Sequence, residues 1–312
     1  MVTRAATFVL ALLVGAAPAA AVTRGICAAA APRDTSRIAV LSAFPAELAP
    51  LVAAADVEST VDVDGRSYYL ATLEGVRVVL GLTGIGMVNA ANRTTSVIGA
   101  FSPQAILFSG VAGSRYNIGD VVVVAQWVEK SGGDPVPVNP ALLSLVKNAA
   151  TMLPGSFETC ADTQANGHVC LPYTPAVVFG DLGTTDDPFN GNPLPCTPGG
   201  GDVFGCELPA PTAVADEVDD METAVVATLA AQHGIPFVAM RAVSDGAGDP
   251  LGDRGFPAQF FDYYHLAATN GALVTRALVA DIAQLAETRR GVCRLLARGR
   301  WARAAARIDR LP

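Results

Sequence analysis

The chain alternates two kinds of segment in a way that few folds accommodate. Runs of almost uninterrupted apolar residues, "RIAVLSAF" from Arg37, "QAILFSGVAG" from Gln104, "IGDVVVVAQWVE" from Ile118 and "IPFVAMRAVSD" from Ile235, are separated by segments of helical period. A strand that is apolar on both faces must be covered on both, which parallel strands joined by crossover helices achieve. The pattern predicts the α/β class, with a mixed, largely parallel central sheet flanked by helices in one domain spanning residues 37–287. Between the first two runs, "STVDVDGRSYYLATLEGVRVVLGLTG" alternates with period two, and Asp64-Gly65 and Glu74-Gly75 read as tight turns joining three strands. "AVVFGD" reads as a further strand. Helices are predicted over "AELAPLVAAA", "GMVNAANRTTSVIGAF", "PALLSLVKNAATML" and "DDMETAVVATLAAQHG", the last stopping at Gly234 as a C′ glycine. A long final helix is expected from Phe256 to Glu287.

Hydrophobic residues make up 51% of 312 positions and charged residues 16%, enough for a large core and too apolar for global disorder. The net charge of -8 argues against a nucleic-acid partner. Residues 288–312 are basic and read as a solvated tail or a short amphipathic helix. At the other end, Arg4, the apolar run Ala5–Ala17 and small residues at Ala19–Ala21 form a secretory leader over residues 1–21, with an uncleaved anchor as the alternative. The expected product is secreted or periplasmic, and no other segment is expected to cross a membrane. Four cysteines lie in a polar, Gly/Pro-rich insert at 155–210. Among three pairings, Cys160 with Cys170 and Cys196 with Cys206 is favoured over a metal site, because spacings of ten residues do not resemble zinc knuckles. Cys27 and Cys293 either form a third bridge or stay free. Neither a metal nor a cofactor is expected.

Polar residues gather where apolar runs end and helices open. Glu47 follows the first strand in "LSAFPAELAPL", and Thr83, Gly84 and Gly86 precede a helix in "LTGIGMVNAA". Gly113 ends "FSGVAG", Met221 and Glu222 open a helix in "DDMETAVVA", and Arg241, Ser244 and Asp245 end "PFVAMRAVSD". In parallel α/β sheets the C-terminal strand ends are where ligands bind. Glycines before a helix let backbone N–H groups approach an anion or a sugar oxygen. Each residue alone is an ordinary cap or turn, and an acid such as Glu47 in a first helical turn is favoured by the dipole. Asp216 to Asp220 read as a solvated acidic approach to the next helix. His168, His233 and His265 read as insert, helix-end and surface residues.

Taken in order, "AFPAE", "TGIGMVNAA", "FSGVAGSRYNIGDVVV", "DMETAVVA" and "PFVAMRAVSD" resemble the nucleoside phosphorylase superfamily, and within it the methylthioadenosine/S-adenosylhomocysteine nucleosidases, over about Arg37 to Asp281. The resemblance implies that fold, a purine nucleoside as ligand, and a homodimer. It implies Asp245 as the general acid at purine N7, oriented by Ser244. Glu222 would grip the ribose hydroxyls above Met221, and Glu47 would act as general base on a water held with Arg241 and Thr83. Water is expected as acceptor because the first loop offers Glu47 and no arginine, and Arg93 lies well inside a helix. A phosphate-dependent phosphorylase and a non-catalytic nucleoside-binding or storage protein are the alternatives. The chain departs from the family where an aromatic ring should stack on the base. Gly183 stands there, leaving Phe179 or Phe189 as candidates, while Phe260 or Phe261 is expected to wall the 5′ side.

Overall fold

The structure is a computed structural model that describes residues 36–187 and 214–300, apart from 154, 164, 165, 254 and 299, together with residue 303. Cys27, Cys196, Cys206, Phe189 and the expected leader lie outside the described residues. Thr35–Ala283 form one compact unit that carries the sheet. Its strands are β1 (Ile38–Ser42), β2 (Asp56–Val63), β3 (Arg66–Leu73), β4 (Val76–Leu82), β5 (Ile106–Asn117), β6 (Val121–Glu129), β7 (Val136–Pro137), β10 (Val177–Thr185), β11 (Asp219–Asp220) and β12 (Phe237–Ala247). A separate hairpin pairs β8 (Cys160–Thr163) with β9 (Gly167–Cys170). The helices are α1 (Pro45–Ala53), α2 (Met87–Phe101), α3 (Pro140–Ala150), α4 (Thr223–Gln232) and α5 (Ala258–Ala297).

The main sheet runs β11-β10-β6-β12-β5-β1-β4-β3-β2, with β7 on β6. The pairs β4–β1, β1–β5, β5–β12, β6–β10 and β10–β11 are parallel, as the doubly apolar runs require. β12–β6 and the β2–β3–β4 meander are antiparallel. The meander's two turns are built as expected, with Asp64 and Gly65 at φ 52 and 72 and Glu74 and Gly75 at φ 47 and 78, the left-handed pairs that two-residue hairpins favour. β11 bonds to both β10 and β5, curling this end of the sheet back on itself. That closure brings the start of α4 against β10 and β12, where Ala224 N donates to Thr185 and Thr223 accepts from Arg241.

Three features extend or correct the sequence reading. β10 is a nine-residue strand of the main sheet, so 155–210 is not one excursion. The hairpin β8–β9 carries the bridge Cys160–Cys170, as expected, and Cys293 is also disulfide-bonded. Its apolar side packs Ala161 and Leu171 on Ile118, Tyr263 and Leu266, while Asn270 holds Glu158 N–H and carbonyl through its side-chain amide. Finally, α5 runs unbroken for 40 residues to Ala297, because the Arg/Leu/Ala-rich sequence past Glu287 contains only Gly291 to weaken it. This helix is long and apolar enough to cross a membrane by length and composition, contrary to expectation, yet 56% of its most apolar window is buried.

Candidate active site

β12 is buried from Phe237 to Asp245, and its pairing with β5 carries register shifts on either side of Asp245. Such bulges re-aim side chains at a strand end. Here Asp245 lies opposite Gly113 of β5. A Cβ on Gly113 would stand 2.6 Å from Asp245 Oδ2 and 2.7 Å from Val214 Cγ2, so the glycine is what lets the acid lie against the strand. Ser244 Oγ donates to Asp245 Oδ1 at 2.7 Å and is positioned to donate to the Ala112 carbonyl at 3.3 Å. Burial pushes the Asp245 carboxyl up to about 6, against the Ser244 hydrogen bond that favours its charged form.

Four residues back, Arg241 lies opposite Gly110. Its guanidinium is fully buried and stacks 4.2 Å from the Phe108 ring centroid. Nη2 donates to Glu222 Oε2 at 3.1 Å, and Nη1 lies 3.7 Å from Glu47 Oε1. A Cβ on Gly110 would come within 2.0 Å of Nη1 and 2.5 Å of Glu47 Oε1. Both glycines of "GVAG" are thus spaces occupied by side chains that reach across β5. Gly110 was not singled out from sequence, where it looked like an ordinary strand residue.

Glu47 sits in the first turn of α1, buried, with Oε2 accepting from Ala43 N (2.6 Å) and Phe44 N (3.3 Å) and Oε1 from Val111 N (2.7 Å). Burial raises its pKa, opposed by Arg241 and by these three amides. Glu222 is the N-cap residue of α4, and its Oε1 accepts from Gly86 N at 2.9 Å. Gly84 and Gly86 have φ 82 and 89, and the left-handed turn they make presents that amide. Thus the Gly-x-Gly loop serves the glutamate carboxylate directly. Burial is the main force raising the Glu222 pKa, and Asp220 and Glu47 add to it while Arg241 opposes. Met221 is half-buried between its neighbours. Thr83 is buried, but its hydroxyl faces the Ser42 and Gly84 carbonyls at 3.2 and 3.0 Å rather than Glu47 or Arg241.

Asp220 overturns the expectation of a solvated acidic approach. It is buried, its Oδ2 lies 2.6 Å from Arg241 Nε, and it belongs to the strand that closes the sheet. Of its neighbours, Asp216 pairs with Lys130 near the surface. Asp219, which also pairs with Lys130, and Glu217, which pairs with Arg115 and accepts from the Asp181 and Leu182 amides, are largely buried as well. The cluster as a whole sets one guanidinium among three carboxylates in a buried site. Carboxyl groups crowded around one guanidinium are suited to stabilising a cation that develops on a substrate.

Among the described residues, the aromatic candidates Phe179, Phe260 and Phe261 make their ring contacts with Lys147 and other aromatic rings, not with the carboxyl groups or guanidinium of this cluster. Phe179 is 37% exposed, with Lys147 Nζ 5.6 Å over its ring. The absent family aromatic has a local cause, since a Cβ on Gly183 would meet the buried Trp127 ring at 2.7 Å. Phe261 is 39% exposed and edge-on to Phe260. Phe260 is the better placed of the two, stacked on Tyr264 and 6.0 Å from Phe44, whose own amide bonds to Glu47. Arg93 donates to the Asp64 carbonyl in the β2–β3 turn, away from the cluster. Cys160, Cys170 and His168 would group as metal ligands, but the two sulfurs are bonded to each other.

A family model described as the phosphorylase superfamily matches residues 37–280. The chain is 27% identical over 254 residues to the 5′-methylthioadenosine/S-adenosylhomocysteine nucleosidase of Chromohalobacter salexigens, covering 78% of this chain and 96% of that protein. It is 35% identical over 185 residues to an uncharacterised protein of Mycobacterium tuberculosis, covering 54% of this chain and 75% of that protein. Among solved structures, the Neisseria meningitidis 5′-methylthioadenosine/S-adenosylhomocysteine nucleosidase in complex with methylthio-immucillin-A superposes with a TM-score of 0.58 at 22% identity, covering 78% of this chain and 99% of that one. The match spans every element that builds the buried cluster, and this chain belongs to the phosphorylase superfamily.

Proposed function

We propose that this chain hydrolyses the N-glycosidic bond of a purine nucleoside, 5′-methylthioadenosine-like or unsubstituted at the 5′ position. The observation that carries the reading is the buried Glu47–Arg241–Glu222 cluster on the same strand pair as an aspartic acid whose carboxyl is pushed up to about 6. A purine anion leaves poorly, so the base must gain a proton as the C1′–N9 bond breaks. Asp245 gives its proton to N7, and the bonding pair leaves with the base. The ribosyl cation that remains is stabilised by the carboxyl groups around Arg241, with Glu222 gripping the ribose hydroxyls. Water adds its oxygen to C1′ and its proton passes to Glu47, which backbone amides already orient.

Phosphate is disfavoured as acceptor because the buried arginine is surrounded by carboxylates that would repel it, and Arg93 is committed elsewhere. Export and pairing into a homodimer belong to the same proposal. The leader read over residues 1–21 and the Cys160–Cys170 bridge fit an oxidising compartment. The test is base release from methylthioadenosine, adenosine, inosine and guanosine, with and without phosphate. The expected result is release without phosphate. Strict phosphate dependence would make the chain a phosphorylase and remove Glu47 from its role, while binding without turnover would favour a storage protein.

A further inference from the structure

Beyond the residues expected to touch substrate, we propose that Asp220 is a positioning residue that fixes the rotation of the Arg241 guanidinium, and through it the Glu222 carboxylate; the inference rests on the hydrolase reading above. Arg241 offers two edges. Asp220 Oδ2 takes the Nε edge at 2.6 Å, and Thr223 Oγ1 accepts from Nε at 2.9 Å. The Thr223 hydroxyl also donates to Asp220 Oδ2, closing a small ring of carboxylate, hydroxyl and guanidinium. The other carboxylate oxygen, Oδ1, accepts from Thr185 Oγ1 at 2.7 Å and from the Glu222 and Thr223 amides at 3.2 and 3.0 Å. Thr185 is fixed in turn, its hydroxyl accepting from Ala224 N at 2.9 Å.

Every one of these donors is protein-borne, and the Asp220 side chain is only 2% exposed. It is therefore shielded from substrate, and what it supplies is geometry. With Phe108 packed on one face, a guanidinium held at Nε has a single orientation left. That orientation turns Nη2 onto Glu222 and leaves Nη1 beside Glu47 Oε1, with no hydrogen-bond acceptor among the described residues. A buried donor with no acceptor is costly unless a ligand uses it, and here it lies next to the carboxylate expected to activate water. Asp220 thereby couples the sheet closure at β10 and β11 to the two glutamates.

The test is Asp220→Asn, with Asp220→Glu as the conservative rescue. Thr223→Val serves as a second variant that removes the bridging hydroxyl and keeps the shape. Steady-state kinetics on the best nucleoside would be run beside a crystal structure of each variant. Asp220→Asn is expected to lower kcat on the order of 100-fold, the cost of a small misplacement near the reacting atoms, with a much smaller change in KM. Its Arg241 guanidinium is expected to turn away from Glu222. Asp220→Glu should recover part of kcat, and Thr223→Val should lose part of it. Unchanged kcat in Asp220→Asn, or an unmoved guanidinium, overturns the proposal. If Asp220→Asn and Asp220→Glu do not fold, an unchanged kcat in Thr223→Val overturns it. Should the wild type release no base, the hydrolase reading falls, and the Arg241 position in the variant structures still decides what Asp220 does.

Discussion

At the scale of single residues, the account rests on a buried acid whose carboxyl burial pushes up to about 6, and on glycines that make room for the buried side chains. The Asp245 carboxyl titrates at about 6 in the fold and has an ordinary value of 3.8. The folded state holds this proton more tightly, so its stabilising contribution is complete below 3.8 and is lost as pH rises through 6. Asp245→Asn, which cannot titrate, should abolish base release. It should also gain stability relative to wild type between pH 4 and pH 8, by about 3 kcal/mol, read from urea unfolding at each pH. A difference that does not vary with pH would mean that Asp245 is not the buried acid. Ser244 favours the charged form, so Ser244→Ala should move the alkaline limb of kcat/KM to higher pH, and a limb that stays in place would remove Ser244 from that role. Gly110→Ala would drive a Cβ into Arg241 and Glu47, and it should cost about 1–3 kcal/mol and most of kcat/KM; a tolerated alanine would contradict the close approach. The acids that end strands or open helices could be read from sequence because their surroundings carried a pattern. Asp220 could not. It stands among Asp216, Glu217 and Asp219, and its strand is two residues long, too short for any period to mark which acid points inward.

Elements were legible in proportion to how local their causes are. The turns at Asp64-Gly65 and Glu74-Gly75, the stop at Gly234 and the doubly apolar strands each follow from a few adjacent residues, and the structure has them where the pattern puts them. β11 and the hairpin β8–β9 depend on distant partners, Gly113 and Thr185 for the one and Ile118, Tyr263 and Leu266 for the other. No local signal announces such contacts. Just past the hairpin, Tyr173 places its hydroxyl at the Ile118 and Ala247 carbonyls beside the end of β12. The hairpin's bridge closes a separation of 10 residues, so Cys160→Ser with Cys170→Ser should lower stability by about 2–3 kcal/mol. The urea midpoint reports this. Base release at 25 °C should persist, since none of Glu47, Glu222 and Asp245 has a hydrogen bond to the hairpin among those described. An unmoved midpoint would mean that packing alone holds the hairpin.

At the scale of the molecule, the closure of β11 onto both β10 and β5 brings residues far apart in sequence into one buried cluster, with Gly86 and Glu222 separated by 136 positions. Motif order along the chain was enough to anticipate that meeting. The base that the site prefers was not legible: the sequence shows Gly183 where the resemblance calls for a stacking ring, and the Trp127 ring packed against Gly183 is visible only in three dimensions. The central claim is that water, activated by Glu47, attacks a ribosyl centre whose base Asp245 has protonated. The measurement that tests it most directly is the mass of the sugar product formed in 18O-labelled water with phosphate present. The account predicts a free ribosyl product carrying one 18O atom at C1′, with none formed by Asp245→Asn. A ribosyl 1-phosphate product, or labelled sugar formed equally fast by Asp245→Asn, would contradict it.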